Sequence, residues 1–221
     1  MDIQTRLVHA GEEDKIETAV VTPIFQSATF VAEEDRAYDD IRYMRLNNTP
    51  NHNALHAKLA STAGGEAALV TGSGMAAIST ALLTLLKSGD HLLIQDCLYG
   101  GTHSFVSQDA PELGIGRGFI AGNAPDMWAS RLKPESKAIF VETMSKPLLE
   151  FADLEAVVAF ANEHGLVSLI DNTFASPCNF RPLELGFDIE LHSATKYLNG
   201  HSDIVAGVVI GSHEHIGAIT N

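Results

Sequence analysis

Residues 67–87 read AALVTGSGMAAISTALLTLLK, and this stretch decides the fold. A short apolar run ends at Val70, a glycine-rich turn follows, and apolar residues then recur at helical spacing up to Lys87. The uncharged part, residues 67–86, is long enough to span a membrane, but its many glycines, serines and threonines suit the hydrocarbon core poorly. The stretch therefore predicts a strand, a turn and a helix.

The same alternation continues along the chain. Further strands are predicted at 91–95, 137–142, 166–171, 189–192 and 204–210, and further helices from Asn53 to a stop at Gly64 and from a cap at Asp153 to His164. The first fifty residues show little periodicity. Strands that alternate with helices predict an α/β fold, a three-layer sandwich around a mostly parallel sheet. In such sheets, ligands bind beyond the carboxyl ends of the strands.

Composition excludes some classes of function. The chain has 221 residues with 14 basic and 28 acidic side chains, a net charge of −14 that disfavours binding to nucleic acid or to an anionic membrane surface. Cys97 and Cys178 are too few for a disulfide framework, which favours a reducing compartment. No signal peptide is visible at the N-terminus. We therefore expect a cytoplasmic protein.

A lysine with two neighbouring hydroxyls follows the strand predicted at 189–192. Lys196 could attack the aldehyde of a cofactor once it has lost its proton, and partial burial at a strand end favours that loss. Ser193 and Thr195 could bind the phosphate of pyridoxal 5′-phosphate (PLP). On its own, this motif is explained more simply by a surface lysine.

Three other strand ends carry matching chemistry. Asp171 ends the strand 166–171 and could pair with the pyridinium nitrogen of PLP, although a turn aspartate is equally common there. Gly74 and Met75 begin a helix directly after a strand, where free N–H groups bind an anion. Tyr99 follows the strand 91–95 beside two glycines and could stack on a planar cofactor.

Two alternatives remain at this point. Gly72, Gly74 and Ala77 match the dinucleotide fingerprint, which would indicate an NAD- or FAD-binding oxidoreductase. That fingerprint usually opens its fold, however, and it leaves the motif at 193–196 unexplained. Histidine pairs at 52 and 56 and at 213 and 215 lack the companions of a zinc site, so no metal is expected.

Four stretches carry a resemblance to a known family: TRLVHAG at 5–11, TPIFQ at 22–26, DNTF at 171–174 and HSATKYLNGH at 192–201. Together they resemble the Cys/Met-metabolism family of PLP-dependent enzymes. This family includes cystathionine γ-synthase, the cystathionine lyases, methionine γ-lyase and the O-acylhomoserine sulfhydrylases. The resemblance implies the large domain of a fold type I PLP enzyme.

The resemblance also implies roles for individual residues. Lys196 becomes the Schiff-base lysine and Tyr99 the stacking ring, and both are the expected catalytic residues. Asp171 becomes the partner of the pyridinium nitrogen. The phosphate would be held by Gly74, Met75, Ser193 and Thr195. Tyr43 and Arg45 match a pair that reaches the cofactor of a neighbouring subunit, which implies a homo-oligomer, a dimer or a tetramer.

Domain organisation follows from the same resemblance. Residues 1–52 would form an arm that contacts the neighbouring subunit, and residues 53–221 the PLP-binding domain. The family's C-terminal domain, which supplies an arginine for the substrate carboxylate, is absent from this sequence.

Two single positions depart from the family pattern. Lys146 stands where the family has an asparagine bonded to the cofactor's ring oxygen, and we expect Lys146 to contact the cofactor. Gly101 replaces a cysteine associated with methionine γ-lyase.

These observations predict a PLP-dependent carbon–sulfur lyase acting on a small sulfur amino acid, similar to cystathionine γ-lyase. A γ-replacement synthase is the first alternative. A non-catalytic remnant that binds PLP or a partner is the second, and an oxidoreductase is less favoured.

Overall fold

The computed structural model describes residues 1–12, 15–31, 41–145 and 148–220. Within them lies a seven-stranded sheet of order β1-β7-β6-β5-β4-β2-β3. The strands are β1 (Ala67–Thr71), β2 (His91–Gln95), β3 (Gly116–Ile120), β4 (Ser136–Glu142), β5 (Val167–Asp171), β6 (Ile189–His192) and β7 (Gly207–Gly211). Neighbouring strands are parallel except where β7 pairs antiparallel with β1 and β6. The predicted mostly parallel sheet is confirmed.

Helices surround the sheet. The α-helices are α1 (Ile3–His9), α2 (Pro50–Ala63), α3 (Gly74–Leu85), α4 (Gly100–Ser104), α5 (Ala110–Glu112), α6 (Leu154–His164), α7 (Ser176–Asn179), α8 (Pro182–Leu185) and α9 (His213–Thr220). A π-helical turn, Phe105–Asp109, joins α4 to α5 into one helical run, residues 100–112. Short 3₁₀ turns occupy Ile16–Thr18, Met44–Leu46 and Pro125–Arg131.

Alternating side chains of the central strands fill two separate cores. In β4, Ala138 and Phe140 pack in the cluster that contains α3 and α9, whereas Ile139 and Val141 pack in the cluster that contains α6. A third cluster lies between α2 and the edge of the sheet formed by β1 and β7. Because successive side chains of a strand point to opposite faces, a fully apolar strand requires cover on both. The three-layer arrangement is confirmed.

The predicted helix cap is confirmed at α6, whereas α3 ends at Leu85, two residues before the predicted end, and has a cap that was not predicted. Ser73 caps α3, and its side chain accepts a hydrogen bond from the N–H of Ala76. Asp153 caps α6 in the same way through the N–H of Ala156, and Gly165 ends that helix with a positive φ of 63°. Such capping satisfies N–H groups that a helix start otherwise leaves without an acceptor.

The structure adds elements that periodicity did not predict. Helix α1 lies within the first fifty residues, where little periodicity was seen. Its seven residues are too few for a clear pattern, and the Arg6 guanidinium connects it to α2 by a hydrogen bond to the carbonyl of Ser61. Strand β3 was also missed, since its two glycines and partly exposed edge position conceal the strand pattern. Strand β7 begins at Gly207, three residues later than predicted.

Helix α2 differs from its predicted start. It begins at Pro50, a residue suited to the first helical position, rather than at Asn53. It therefore crosses the boundary predicted between residues 52 and 53. The charge-free stretch 67–86 is divided between β1 and α3, and across the described ranges no helix is long and apolar enough to cross a membrane.

Candidate active site

A cavity of about 260 Å³ opens at the carboxyl edge of the sheet. It lies where β1, β2, β4, β5 and β6 all end, which is the edge that parallel sheets use for ligands. Seven of the predicted site residues line it: Gly74, Met75, Tyr99, Asp171, Ser193, Thr195 and Lys196. Segments that are far apart in the sequence therefore meet at one place.

The N-terminus of α3 forms one wall of the cavity. Ser73 and Met75 line it with Gly74, and the first turn of any α-helix leaves N–H groups without intrahelical acceptors. Ser193 lies directly against Gly74, because a Cβ added at Gly74 would be 2.7 Å from the Cβ of Ser193. Only glycine permits this close approach, and the result is a pocket of N–H and hydroxyl groups suited to a phosphate.

The turn after β6 presents Lys196 to the same cavity. The N–H of Lys196 donates to the carbonyl of Ser193 at 3.1 Å, which closes the turn. The Thr195 hydroxyl accepts from the N–H of Ala206 at 3.0 Å, so part of its capacity is already used by the main chain. Lys196 itself is exposed, and the partial burial expected for it is not observed, because the turn lies at the open mouth of the cavity.

Asp171 ends β5 on the floor of the cavity. Its Oδ1 accepts hydrogen bonds from both the N–H and the hydroxyl of Thr173. Burial raises the pKa of the Asp171 carboxyl, while the Thr173 bonds and the nearby His192 lower it. Thr173 in turn accepts from the N–H of Ser193 at 2.8 Å, which connects the end of β5 to the turn carrying Lys196. A partly buried carboxylate of this kind is suited to pair with a protonated ring nitrogen.

Comparison with known proteins shows the family to which this chain belongs. The model of the Cys/Met metabolism PLP-dependent enzymes matches residues 4–220. The chain belongs to this family. The family and its members that resemble this chain depend on PLP, so the resemblance seen in the sequence is confirmed and the dinucleotide-binding alternative is not supported.

Individual members of the family show where the chain fits. It is 39% identical to a probable cystathionine γ-synthase of Herpetosiphon aurantiacus over 96% of this chain and 66% of that protein. It is 38% identical to the cystathionine γ-lyase of Bacillus subtilis, over 98% of this chain and 57% of the lyase. The crystal structure of cystathionine γ-lyase from Lactobacillus plantarum complexed with L-serine matches with a TM-score of 0.92 and 35% identity, covering 100% of this chain and 57% of that one. The chain thus spans little more than half to two thirds of the length of these relatives.

Of the three remaining predicted site residues, the two that the structure describes do not line the cavity. Tyr43 and Arg45 lie in the N-terminal segment, where the Arg45 guanidinium stacks over the Tyr43 ring at 5.1 Å. The N–H of Tyr43 donates to the side chain of Asn48 at 2.8 Å, which holds this segment. Lys146, the third, lies outside the described residues, and its contact with the cofactor stays a prediction.

Sequence reasoning missed Glu142, which is almost fully buried and lines the cavity. Its Oε1 accepts the N–H of Tyr99 at 2.6 Å. The signal was available, because Glu142 ends an apolar strand as Asp171 does, and the same rule places it at the carboxyl edge of the sheet.

A buried polar cluster behind Asp171 was also missed. The Thr143 hydroxyl donates to the side chain of Asn172 at 2.8 Å, and Asn172 donates to Glu190 at 2.8 Å. Glu190 also bonds the ring of His192 at 2.7 Å. These bonds fix the loop that follows Asp171. Alternation along β6 gives the signal, since it places Glu190 and His192 on one face.

The histidines at 52 and 56 have a structural use. The Nε2 of His56 accepts the N–H of Val70, and the ring of His52 bonds the hydroxyl of Thr49 at 2.8 Å. In the part of the chain that the structure describes, no three His, Cys, Asp or Glu side chains are grouped so as to hold a metal ion.

Proposed function

We propose that this chain is the cofactor-binding part of a PLP-dependent carbon–sulfur lyase of sulfur amino-acid metabolism, similar to cystathionine γ-lyase. The observation that carries the proposal is that Lys196, Asp171 and the N-terminus of α3 line one cavity. A γ-replacement synthase of the cystathionine γ-synthase type is a second candidate, because relatives of both kinds match the chain to a similar degree.

The residues present fit PLP. Its phosphate is a dianion at neutral pH, and the first turn of α3 with the Ser193 hydroxyl offers donors in a recess that a side chain at position 74 would fill. Asp171 offers a carboxylate for the ring nitrogen, and Lys196 Nζ offers the amine that would hold the aldehyde carbon. Tyr99 lines the same cavity and would offer its aromatic face to the cofactor ring.

PLP supplies an electron sink that stabilises negative charge on the substrate carbons. The chain itself holds and moves protons. Lys196 Nζ, once released by the substrate amine, would remove a proton from the substrate and return one to it as a general base and acid. The Asp171 carboxylate would keep the ring nitrogen protonated. Tyr99 would hold the plane of the ring, which orients the bond to be broken.

The two candidate reactions differ in the step that follows loss of the γ-substituent. A lyase releases a keto acid after water attack, whereas a synthase adds a second nucleophile. Release of a keto acid from cystathionine without an added thiol would favour the lyase. PLP binding without any turnover would instead favour a non-catalytic member of the family.

The same proposal covers assembly and location. Residues 1–52 would form an arm that brings Tyr43 and Arg45 to a neighbouring subunit in a dimer or tetramer, and residues 53–221 the PLP-binding domain. The exposure of Arg45 and its absence from the lining of the chain's own cavity support this. The cytoplasm is the compartment we propose, supported by the free thiols of Cys97 and Cys178.

Borohydride reduction tests the assignment of Lys196. We expect the purified protein to show the visible absorbance of bound PLP, and peptide mapping after reduction to place the pyridoxyl group on Lys196. Lys196→Ala should lose the label, whereas Lys137→Ala, which removes an exposed lysine in β4, should keep it. A label elsewhere, or none, would contradict the proposal.

A further inference from the structure

A hydrogen bond from backbone to side chain connects β2 and β4 just beyond the end of their backbone ladder. The ladder between these strands extends to the pair Ile94 and Phe140. One step beyond, the side-chain carbonyl of Gln95 accepts the N–H of Glu142 at 2.9 Å. Gln95 is 2% exposed and Glu142 is 4% exposed, so this bond lies in the interior, where a polar group without a partner is unfavourable. The position of Glu142 is therefore fixed by a second buried residue.

The carboxylate of Glu142 binds the backbone of the segment that follows β2. Its Oε1 accepts the N–H of Tyr99 at 2.6 Å, across 43 positions of sequence. Tyr99 is the residue that precedes the helical run 100–112, and its own side chain makes no capping hydrogen bond. A hydrogen bond to a carboxylate is roughly twice as strong as one between neutral groups. Glu142 thus anchors the backbone of Tyr99 to the sheet.

The ring of Tyr99 depends on that anchor. Tyr99 is 52% exposed, so about half of its surface makes no packing contact. The ring lies against Gly101, where an added Cβ would be 2.6 Å from Cε1 of the ring. With so little contact around the ring, the direction in which it extends over the cavity is set mainly by its backbone.

We propose that Glu142 is a positioning residue for the cofactor, which acts by holding Tyr99 so that its ring covers the plane of PLP. The inference rests on the proposed function in one respect only, the identity of the planar ligand. The hydrogen bond itself exists in the protein without a ligand, and it can be tested there.

Hydrogen exchange in the protein freed of PLP tests the anchor. In Glu142→Leu, which keeps the volume but offers no acceptor, amides of residues 99–104 should exchange about tenfold faster or more, because a charge-assisted bond is lost. Glu142→Gln, which keeps a neutral acceptor, should give a smaller increase. Glu112→Gln removes an exposed carboxylate from the same helical run and should change nothing. Native exchange in both Glu142 variants would overturn the inference.

A double-mutant cycle tests whether the anchor reaches the cofactor. Glu142→Gln should raise the Kd for PLP about three- to tenfold in the native background and less than about twofold in the Tyr99→Ala background. An equal increase in both backgrounds would show that Glu142 does not act through Tyr99, and would overturn the inference. If Glu142→Leu does not fold, Glu142→Gln carries both experiments. A native protein that binds no PLP would instead contradict the proposed function, which the exchange experiment does not assume.

Discussion

Gly101 shows how a missing side chain can shape a site. A Cβ at this position would be 2.6 Å from the Tyr99 ring and 3.0 Å from the sulfur of Met75. Both neighbours line the cavity, so any larger residue has to displace one of them. The Tyr99 ring is the neighbour that we expect to move, because it makes the shorter contact and Tyr99 is half exposed.

We expect Gly101→Ala to weaken PLP binding while the fold stays intact. The displaced Tyr99 ring would lose contact with the cofactor, which should raise the Kd about three- to tenfold, the effect of losing part of a stacking interaction. Titration of the PLP-free protein measures it. Gly100→Ala is the matched control, since a Cβ there has nothing within 4 Å. Equal affinities in the two variants would show that the ring has room for a side chain at 101.

Among the elements, the edge strand β1 is protected by two side chains. β1 pairs with β7 on one side only, which leaves backbone groups on its outer side. The N–H of Val70 donates to Nε2 of His56 at 3.1 Å, and the side chain of Asn47 donates to the carbonyl of Val70 at 2.5 Å. These bonds replace a missing strand, and they connect the N-terminal segment and α2 to the strand that leads into the phosphate pocket.

This arrangement predicts a loss of stability in mild acid. His56 accepts the Val70 bond only when neutral, and burial, with a smaller effect of His52, lowers the pKa of His56 to about 4. Because the pKa is lower in the folded state than the ordinary 6.5, the contribution is complete above pH 6.5 and disappears as the pH falls towards 4. Since the ring is partly exposed, we expect about 1–2 kcal/mol.

Urea unfolding at pH 7 and pH 4.5 measures this effect. The native protein should lose that much more stability between the two pH values than His56→Gln, which can accept the same bond without titrating. His9→Gln, at an exposed position of α1, should behave as the native protein does. The idea fails if His56→Gln and the native protein show the same pH dependence.

At the scale of the whole molecule, the described part of the N-terminal segment carries several exposed apolar side chains. Val20, Val21, Ile24 and Val31 are 79%, 64%, 84% and 97% exposed. A group of exposed apolar side chains is typical of a surface that another chain covers. Arg45 is exposed on the same segment, and in the proposed assembly it would contact a neighbour's phosphate, for which a guanidinium is well suited.

We expect Arg45→Ala to weaken cofactor retention in the assembled protein without unfolding it. Loss of a charge-assisted phosphate contact should cost about 1.5–3 kcal/mol, or roughly tenfold to a hundredfold in the Kd for PLP. The affinity is to be measured on confirmed oligomers. Arg42→Ala is the matched control, because Arg42 is also exposed and also stacks over an aromatic ring, that of Phe30, but is not predicted to reach a neighbouring site. Unchanged affinity in Arg45→Ala would show that the arm does not reach a neighbouring site.

The sequence by itself determined the architecture and most of the site. Apolar runs indicated every strand except β3, whose residues Gly116 and Gly118 contribute no side chains to a pattern. Because ligands bind beyond strand ends, the sequence alone predicted that Asp171, Lys196 and Tyr99 lie at one site. Each of them ends or follows an apolar run that can be recognised locally. A local sequence pattern was sufficient to predict an element or a site residue where a single segment shows that pattern.

Only the tertiary structure decided which of these segments touch. The bonds from Glu142 to Tyr99, from His56 to Val70 and from Asn172 to Glu190 join residues 43, 14 and 18 positions apart. Each depends on which elements lie side by side, and the order β1-β7-β6-β5-β4-β2-β3 is not the order of the chain. That lateral order results from burying all apolar faces at once, a property of the whole fold that no single stretch of sequence contains.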